Sequence, residues 1–107
     1  MFDDQIIPQY KLLMMYDIKG QDLDGYYKYV LGEFVPSVQE LGIYMTEAWH
    51  TAYGPYPIRL LEFVAENYET IEEALESEEF LTLESKLMEF VTNYSRRVTE
   101  FRKGFQF

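Results

Sequence analysis

Apolar and polar positions alternate with a period of two in four stretches of the chain and recur at helical spacing between them. The first alternating stretch is Tyr10 to Ile18, YKLLMMYDI. Tyr10, Leu12, Met14, Tyr16 and Ile18 fall on one face, and Lys11, Leu13, Met15 and Asp17 on the other. Both faces are apolar in the middle, which predicts a central strand covered on both sides. The second stretch runs from Ile43 to Tyr53, with Ile43, Met45, Glu47, Trp49, Thr51 and Tyr53 on one face and Tyr44, Thr46, Ala48, His50 and Ala52 on the other. Gly54-Pro55-Tyr56-Pro57 breaks it, because proline cannot donate to a ladder. The third stretch, Ile58 to Glu66, sets Ile58, Leu60, Glu62, Val64 and Glu66 opposite Arg59, Leu61, Phe63 and Ala65. The fourth is Ser95 to Phe105 and carries Arg96, Arg97, Arg102 and Lys103.

Between the first two strands, Asp22 is a helix-start signal. Leu23, Tyr27, Val30 or Leu31, Phe34, Val38 and Leu41 then repeat at helical spacing, and Gly42 ends the run. Pro36 falls inside this pattern. It removes a donor and crowds the preceding turn, at about 3 kcal/mol in a regular helix interior, so an interruption is expected there. After the third strand, Thr70-x-x-Glu73 reads as a capping box. The helical phase slips near Ser77 and resumes at Leu83, Leu87, Phe90 or Val91, and Tyr94, which predicts two consecutive helices or one with a break near Ser77. Residues 1–9 read as a flexible lead.

The order is thus β-α-β-β-α-β. Such a chain predicts an α+β, ferredoxin-like fold: a four-stranded antiparallel sheet with its helices on one face, in a single domain spanning 1–107. The other face still shows large apolar side chains, and a second copy of the same sheet is the economical cover. The expectation is a homodimeric α+β barrel.

The helix ending EFVPSVQELGI (Glu33 to Ile43) and the strand-helix passage RLLEFVAENYETIEEALESEEF (Arg59 to Phe80), taken with the strand order, resemble the dimeric α+β barrel superfamily. The Pro-then-Gly helix end is similar to the EthD and NIPSNAP branches, and the second passage more distantly to antibiotic-biosynthesis monooxygenases. The resemblance implies the barrel fold over nearly the whole chain. It leaves activity open, since the superfamily includes cofactor-free oxygenases, isomerases, cyclases and haem proteins. Where the monooxygenase branch often carries histidines, this chain reads ALESEEF from Ala74 to Phe80, and neither predicted helix holds a histidine. Both departures speak against monooxygenase and haem chemistry.

Charge narrows the partners. Nineteen acids against nine bases give a net charge of −10, a field that repels nucleic acid and anionic membrane surfaces. No apolar run approaches membrane-spanning length, and MFDDQ at the start is neither a signal nor a transit peptide, so a cytoplasmic protein is expected. One histidine and no cysteine cannot build a transition-metal site within one chain. No glycine-rich phosphate loop follows a strand, and no Gly-x-Ser-x-Gly elbow occurs. The expectation is no cofactor and no metal.

Candidate chemistry is sparse. His50, flanked on its face by Ala48 and Ala52, has room beside it for a ligand and a pKa range suited to proton transfer. Glu47 and Glu62 are carboxylates inside apolar runs, and either could modulate such a site or form a structural ion pair with Arg59, Arg96 or Arg97. Alternation sets Glu47 on the face away from His50, which leaves Glu62 as the expected partner if the register allows. Tyr16, Tyr26, Tyr27 and Tyr44, with Trp49, could line a cavity for a planar ligand or simply form core, and Arg97 could bind an anionic group or offset the acidic helices. Two functions fit these residues. One is a small-molecule-binding protein or cofactor-independent enzyme acting on an apolar or aromatic compound in a sheet-helix cavity. The other is a non-catalytic dimeric module for protein interaction.

Overall fold

A computed structural model describes residues 7–20, 22–51 and 58–100, with the backbone alone at 47, 49–51 and 58. The order is β1 (Tyr10–Ile18), α1 (Leu23–Tyr29), a π-helical segment (Val30–Phe34), α2 (Val35–Glu40), β2 (Tyr44–Thr51), β3 (Ile58–Ala65), α3 (Tyr68–Glu76), α4 (Glu78–Leu87) and β4 (Val91–Glu100). The strands form one antiparallel sheet in the order β2-β3-β1-β4, the predicted ferredoxin-like arrangement. β1 is central, as its two-sided apolar pattern predicts. Its Leu12, Met14 and Tyr16, with Leu61 and Phe63 of β3, pack against Phe34, Val38, Ile71, Phe80 and Leu87 from the helical side. On the opposite face Met15 is exposed and Leu13 and Leu60 are half-buried. The lead over 1–6 and the stretches 52–57 and 101–107 lie outside the described residues, so the expected strand ends Tyr53 and Phe105 do too. Among the described residues no helix is long and apolar enough to cross a membrane.

The helix boundaries follow local chemistry. Asp22 caps α1 as expected, its carboxylate accepting from the Gly25 N–H at 3.0 Å. The expected stripe is buried at Val30, Phe34 and Val38 but is displaced in the first turns of the helix. Tyr26, Tyr29, Val30, Phe34, Val35 and Val38 are buried, while Leu23, Tyr27 and Leu31 are exposed. The reason is polar: the Tyr26 hydroxyl meets that of Tyr16 at 2.6 Å, and the Tyr29 hydroxyl donates to the Leu83 carbonyl at 2.7 Å. Large rings with bonded hydroxyls take the interior over Leu23, Tyr27 and Leu31.

Pro36 does interrupt the helix, through pitch and not a break in the chain. The turn before it widens, so that the Val35 N–H reaches the Val30 carbonyl five residues back. Pro36 then sits in the first turn of α2, where its missing donor costs nothing. Gly42 terminates α2 with φ +95°, and its N–H donates to the Gln39 carbonyl. Asn67 caps α3, three residues before the expected Thr70, its side chain accepting from the Thr70 N–H at 2.8 Å. Ser77 divides α3 from α4, accepting from the Phe80 N–H at 3.1 Å and donating to the Ala74 carbonyl at 2.7 Å.

Two bulges correct the strand phases. In β2, Met45 pairs with Phe63 but Glu47 pairs with Glu62, so Thr46 is an extra residue. Met45 therefore does not share a ladder side with Glu47, contrary to simple alternation. β4 begins at Val91, four positions before the expected Ser95, because Met88, Glu89 and Phe90 form the turn that ends α4. Its bulge falls between the pairs Asp17–Thr92 and Met15–Ser95, where Asn93 takes φ 55° and its amide donates to the Asp17 carboxylate at 2.7 Å. The insertion leaves Tyr94 beside Tyr16, with ring centroids 6.3 Å apart.

Candidate functional site: a small cavity at Arg59

The helix-covered side of the sheet holds a line of polar groups among aromatic rings. Tyr16 from β1 and Tyr26 from α1 are each 1% exposed, with their hydroxyls 2.6 Å apart. Burial raises the pKa of both phenols above the ordinary tyrosine value, so both stay protonated near neutrality. At Tyr26 the hydrogen bond from Tyr16 and the nearby positive charge of Arg59 pull the other way without overcoming burial. Beyond Tyr16 lies Tyr94, whose hydroxyl donates to Glu84 at 2.5 Å. Arg96 Nε donates to the same carboxylate oxygen at 2.7 Å, and its guanidinium lies 5.6 Å from the centre of the Phe80 ring. The polar groups at that end have partners, and Arg96 also borders a groove of about 240 Å³ with Tyr68, Ile71, Leu75 and Val98.

The other end differs. Arg59 of β3 donates through Nη2 to the Tyr27 hydroxyl, and its guanidinium carbon lies 5.3 Å from the centre of that ring. Arg59 Nε is buried and has no hydrogen-bond partner, and no carboxylate pairs with Arg59 among the described residues. Beside it is a cavity of about 70 Å³. Tyr26, Val30 and Leu31 wall it from the helical side, and Met45, Ala48 and Leu61 from the sheet, with Tyr27 and Arg59 completing the lining.

The expected site residues divide between two regions. Tyr16 and Tyr27 belong to the Arg59 end. The backbone ladder sets His50 opposite Arg59, Trp49 opposite Leu60, and Glu47 opposite Glu62. His50 and Glu62 therefore occupy ladder positions of opposite parity, and Arg59 takes the place at which Glu62 was expected. Glu62 instead meets Lys11 at 3.7 Å and accepts from the Thr46 hydroxyl at 2.9 Å. Tyr44 pairs in register with Val64 on that same side. Arg97 lies there too, in a groove of about 310 Å³ formed with Leu13, Met15 and Ser95. Arg59 entered the sequence reading only as an ion-pair partner, and Tyr94 and Glu84 were not singled out. The available signal was that Arg59 is the sole base on the Leu61 and Phe63 face of its strand.

The other hollows are larger. One of about 680 Å³ between α2 and α4 is lined by Ser37, Glu40, Glu78, Glu79 and Thr82, with no base. Among the described residues no group of three or more His, Asp or Glu side chains is arranged to hold a metal ion.

No family model matches this chain, and no curated protein matches it in sequence. Solved structures do match its fold. An uncharacterised NIPSNAP domain protein from Burkholderia xenovorans aligns with a TM-score of 0.66 at 8% identity, over 91% of this chain and 98% of that one. An antibiotic-biosynthesis-monooxygenase-like protein from Nitrosomonas europaea aligns at 0.63 and 13% identity, over 87% and 88%. A dimeric ferredoxin-like protein from an uncultured marine organism aligns at 0.62 and 15% identity, over 94% and 93%. The fold is therefore α+β and ferredoxin-like, as expected from the sequence.

Proposed function

We propose that the protein is a homodimer that binds a small apolar or aromatic compound in the cavity between α1 and the sheet. The observation that carries this reading is a hollow with apolar walls and one half-buried arginine whose Nε lacks a partner. Ligand sites share that composition: mostly apolar lining with a few polar groups that fix orientation. At about 70 Å³ the cavity is far smaller than the roughly 300–1,000 Å³ of a drug-sized site, so it takes a small ligand or one end of a larger one. If the bound compound is turned over, the chemistry is cofactor-independent. His50, opposite Arg59 in the ladder, is then the proton donor or acceptor, and His50→Gln removes turnover without unfolding the dimer.

The dimer is proposed to close over the uncovered sheet face. Leu13, Met15 and Leu60 give that face an apolar character that a second sheet would bury. Light scattering at micromolar concentration tests this, and a stable monomer overturns it.

Native mass spectrometry and an absorbance spectrum of freshly purified protein test for a resident ligand. A thermal-shift panel of small apolar compounds, run beside Ala48→Phe, tests the cavity. Ala48 is exposed yet lines the hollow, so a larger side chain there obstructs it without disturbing the core. Stabilisation of the parent protein that Ala48→Phe abolishes supports the reading. A second reading, a non-catalytic dimeric module, draws on the packed remainder of the interior, where Tyr16, Phe34, Phe63 and Phe80 leave little room. It is preferred if no compound shifts the parent protein and no ligand co-purifies.

A further inference from the structure

The uncovered face of the sheet carries charge in one line. The ladders place Glu47 opposite Glu62, Glu62 opposite Leu13, and Leu13 opposite Arg97. Residues directly opposite share a face, so these four positions form a single row across all four strands. Two acids stand at its β2 and β3 end and a base at its β4 end. The row on one side of it is Trp49, Leu60, Met15 and Ser95, which holds no charge. The row on the other side is Tyr44, Val64, Lys11 and Thr99, where Lys11 and Val64 are already buried within the single chain.

The base end is open. Arg97 is exposed and has no carboxylate partner among the described residues, in a chain with nineteen acids for nine bases. Leu13, Met15 and Ser95 surround it in the groove of about 310 Å³. An unneutralised guanidinium beside two apolar side chains is complementary to a carboxylate carried on an apolar surface. The acid end of the same row is such a surface, with Leu60 in the row beside it. There Glu62 meets Lys11 at 3.7 Å, and Glu47 stands opposite Glu62 as a second acid.

Two copies that face each other with aligned sheets are related by a two-fold axis running either across the strands or along them. An axis across the strands sets each strand over its own counterpart, so Arg97 meets Arg97 and acid meets acid. An axis along the strands reverses the strand order, so β4 of each copy lies over β2 of the other. The row then meets its copy with unlike charges together. We propose that the second copy docks in this reversed order, with the Glu47–Glu62 end of each row seated at the Arg97 groove of the other. This rests on the dimer proposed above and names the contact that orients it. Symmetry forms the contact twice.

The test is analytical ultracentrifugation and native mass spectrometry of Arg97→Glu, Glu47→Lys and their equimolar mixture. Each variant alone sets like charges together at both contacts, and its dimer is expected to be at least about tenfold weaker than the parent dimer. In the mixture, the new acid at position 97 of one chain faces the new base at position 47 of the other, and the second contact keeps its native charges. Heterodimer is therefore expected to exceed both homodimers, with an affinity within about threefold of the parent's. Recovery in the mixture also shows that neither variant has lost its fold. Variant homodimers of parent affinity, or a mixture without excess heterodimer, overturn the inference and leave the dimer standing. So does an Arg97→Glu chain that pairs with the parent more tightly than the parent pairs with itself, the result that an axis across the strands requires. A parent protein that is monomeric at micromolar concentration overturns the dimer and this contact together.

Discussion

Arg59 and Arg96 stand on the two strands that flank β1, both on the helix-covered side of the sheet, and the fold treats them differently. Arg96 pairs in register with Met14, reaches Glu84 of α4 at 2.7 Å and lies against Phe80. Arg59 pairs in register with Tyr16, reaches only the Tyr27 hydroxyl of α1 and lies against the same ring. Each guanidinium has an aromatic partner. Only one has a carboxylate. Where α4 supplies an acid, the polar groups are satisfied. Where α1 supplies a phenol, a donor is left over and a hollow lies beside it. A buried donor without an acceptor costs on the order of 1–3 kcal/mol, so the Arg59 end carries a deficit that the Arg96 end does not.

The largest effect expected concerns the buried phenols on the helix-covered side of the sheet. Tyr16, Tyr26 and Tyr29 are buried, and burial raises the pKa of each above the ordinary value near 10. In the unfolded chain these groups lose their protons as pH passes that value, while the native state keeps them. The unfolded state then binds fewer protons, so stability is complete below the ordinary value and falls as pH rises above it. Each phenol contributes a loss of up to about 1.4 kcal/mol per pH unit, on the order of 4 kcal/mol in all by pH 11. Urea titrations between pH 8 and 11 read this out. A flat profile would mean that the tyrosine layer is open to water and that the two ends are not separated by a dry interior.

Next is Glu84→Ala, which strikes the Arg96 end. It leaves Arg96 and the Tyr94 hydroxyl without their shared acceptor, and a broken, mostly buried pair costs roughly 3 kcal/mol. Arg96 is partly exposed, so water recovers some of that loss. Chemical denaturation should show a lower midpoint at unchanged slope. Tyr16→Phe follows at about 1–2 kcal/mol, because it deprives the buried Tyr26 hydroxyl of its partner. A neutral outcome for Glu84→Ala would erase the contrast between the two arginines from the structural side.

What could be read from the chain was set by local chemistry. Tyr10–Ile18 alternates without interruption and forms the strand with the expected ends. Asp22, Pro36, Gly42 and Ser77 act through their own backbone or side chain within a few residues, and each acts where expected. The bulges at Thr46 and Asn93 were not legible, because an inserted residue changes phase without changing composition. Once Thr46 shifts the ladder, Met45 and Glu47 part company. Arg59 was hidden for a different reason. Its character comes from a carboxylate that is absent and a phenol contributed by a helix more than thirty positions away, and neither is a property of its own strand. Tyr26 falls outside the expected helical stripe, which takes Leu23 and Tyr27 instead, because hydropathy does not register a hydroxyl bonded at 2.6 Å.

The smallest expected effect is the most discriminating. Arg59→Met should change stability by less than about 0.5 kcal/mol in either direction, because its gains and losses are of similar size. Three terms decide it. The substitution removes a buried N–H that has no acceptor, which relieves part of a penalty of about 1–3 kcal/mol. It loses one hydrogen bond to the half-exposed Tyr27 and a cation–π contact worth about 0.5–1 kcal/mol at such a site. Methionine, flexible and similar in length, keeps the apolar packing along Leu61 and Tyr27. Gains and losses of this size nearly cancel. The same change at Arg96 does not cancel, because it leaves the carboxylate of Glu84 buried without its cation, and a loss of about 2–3 kcal/mol is expected. Denaturant midpoints of Arg59→Met and Arg96→Met, measured side by side, therefore decide whether the two arginines differ in kind. If Arg59→Met costs as much as Arg96→Met, Arg59 is a structural residue, the hollow beside it is a packing defect, and the case for a ligand at that end loses its physical basis.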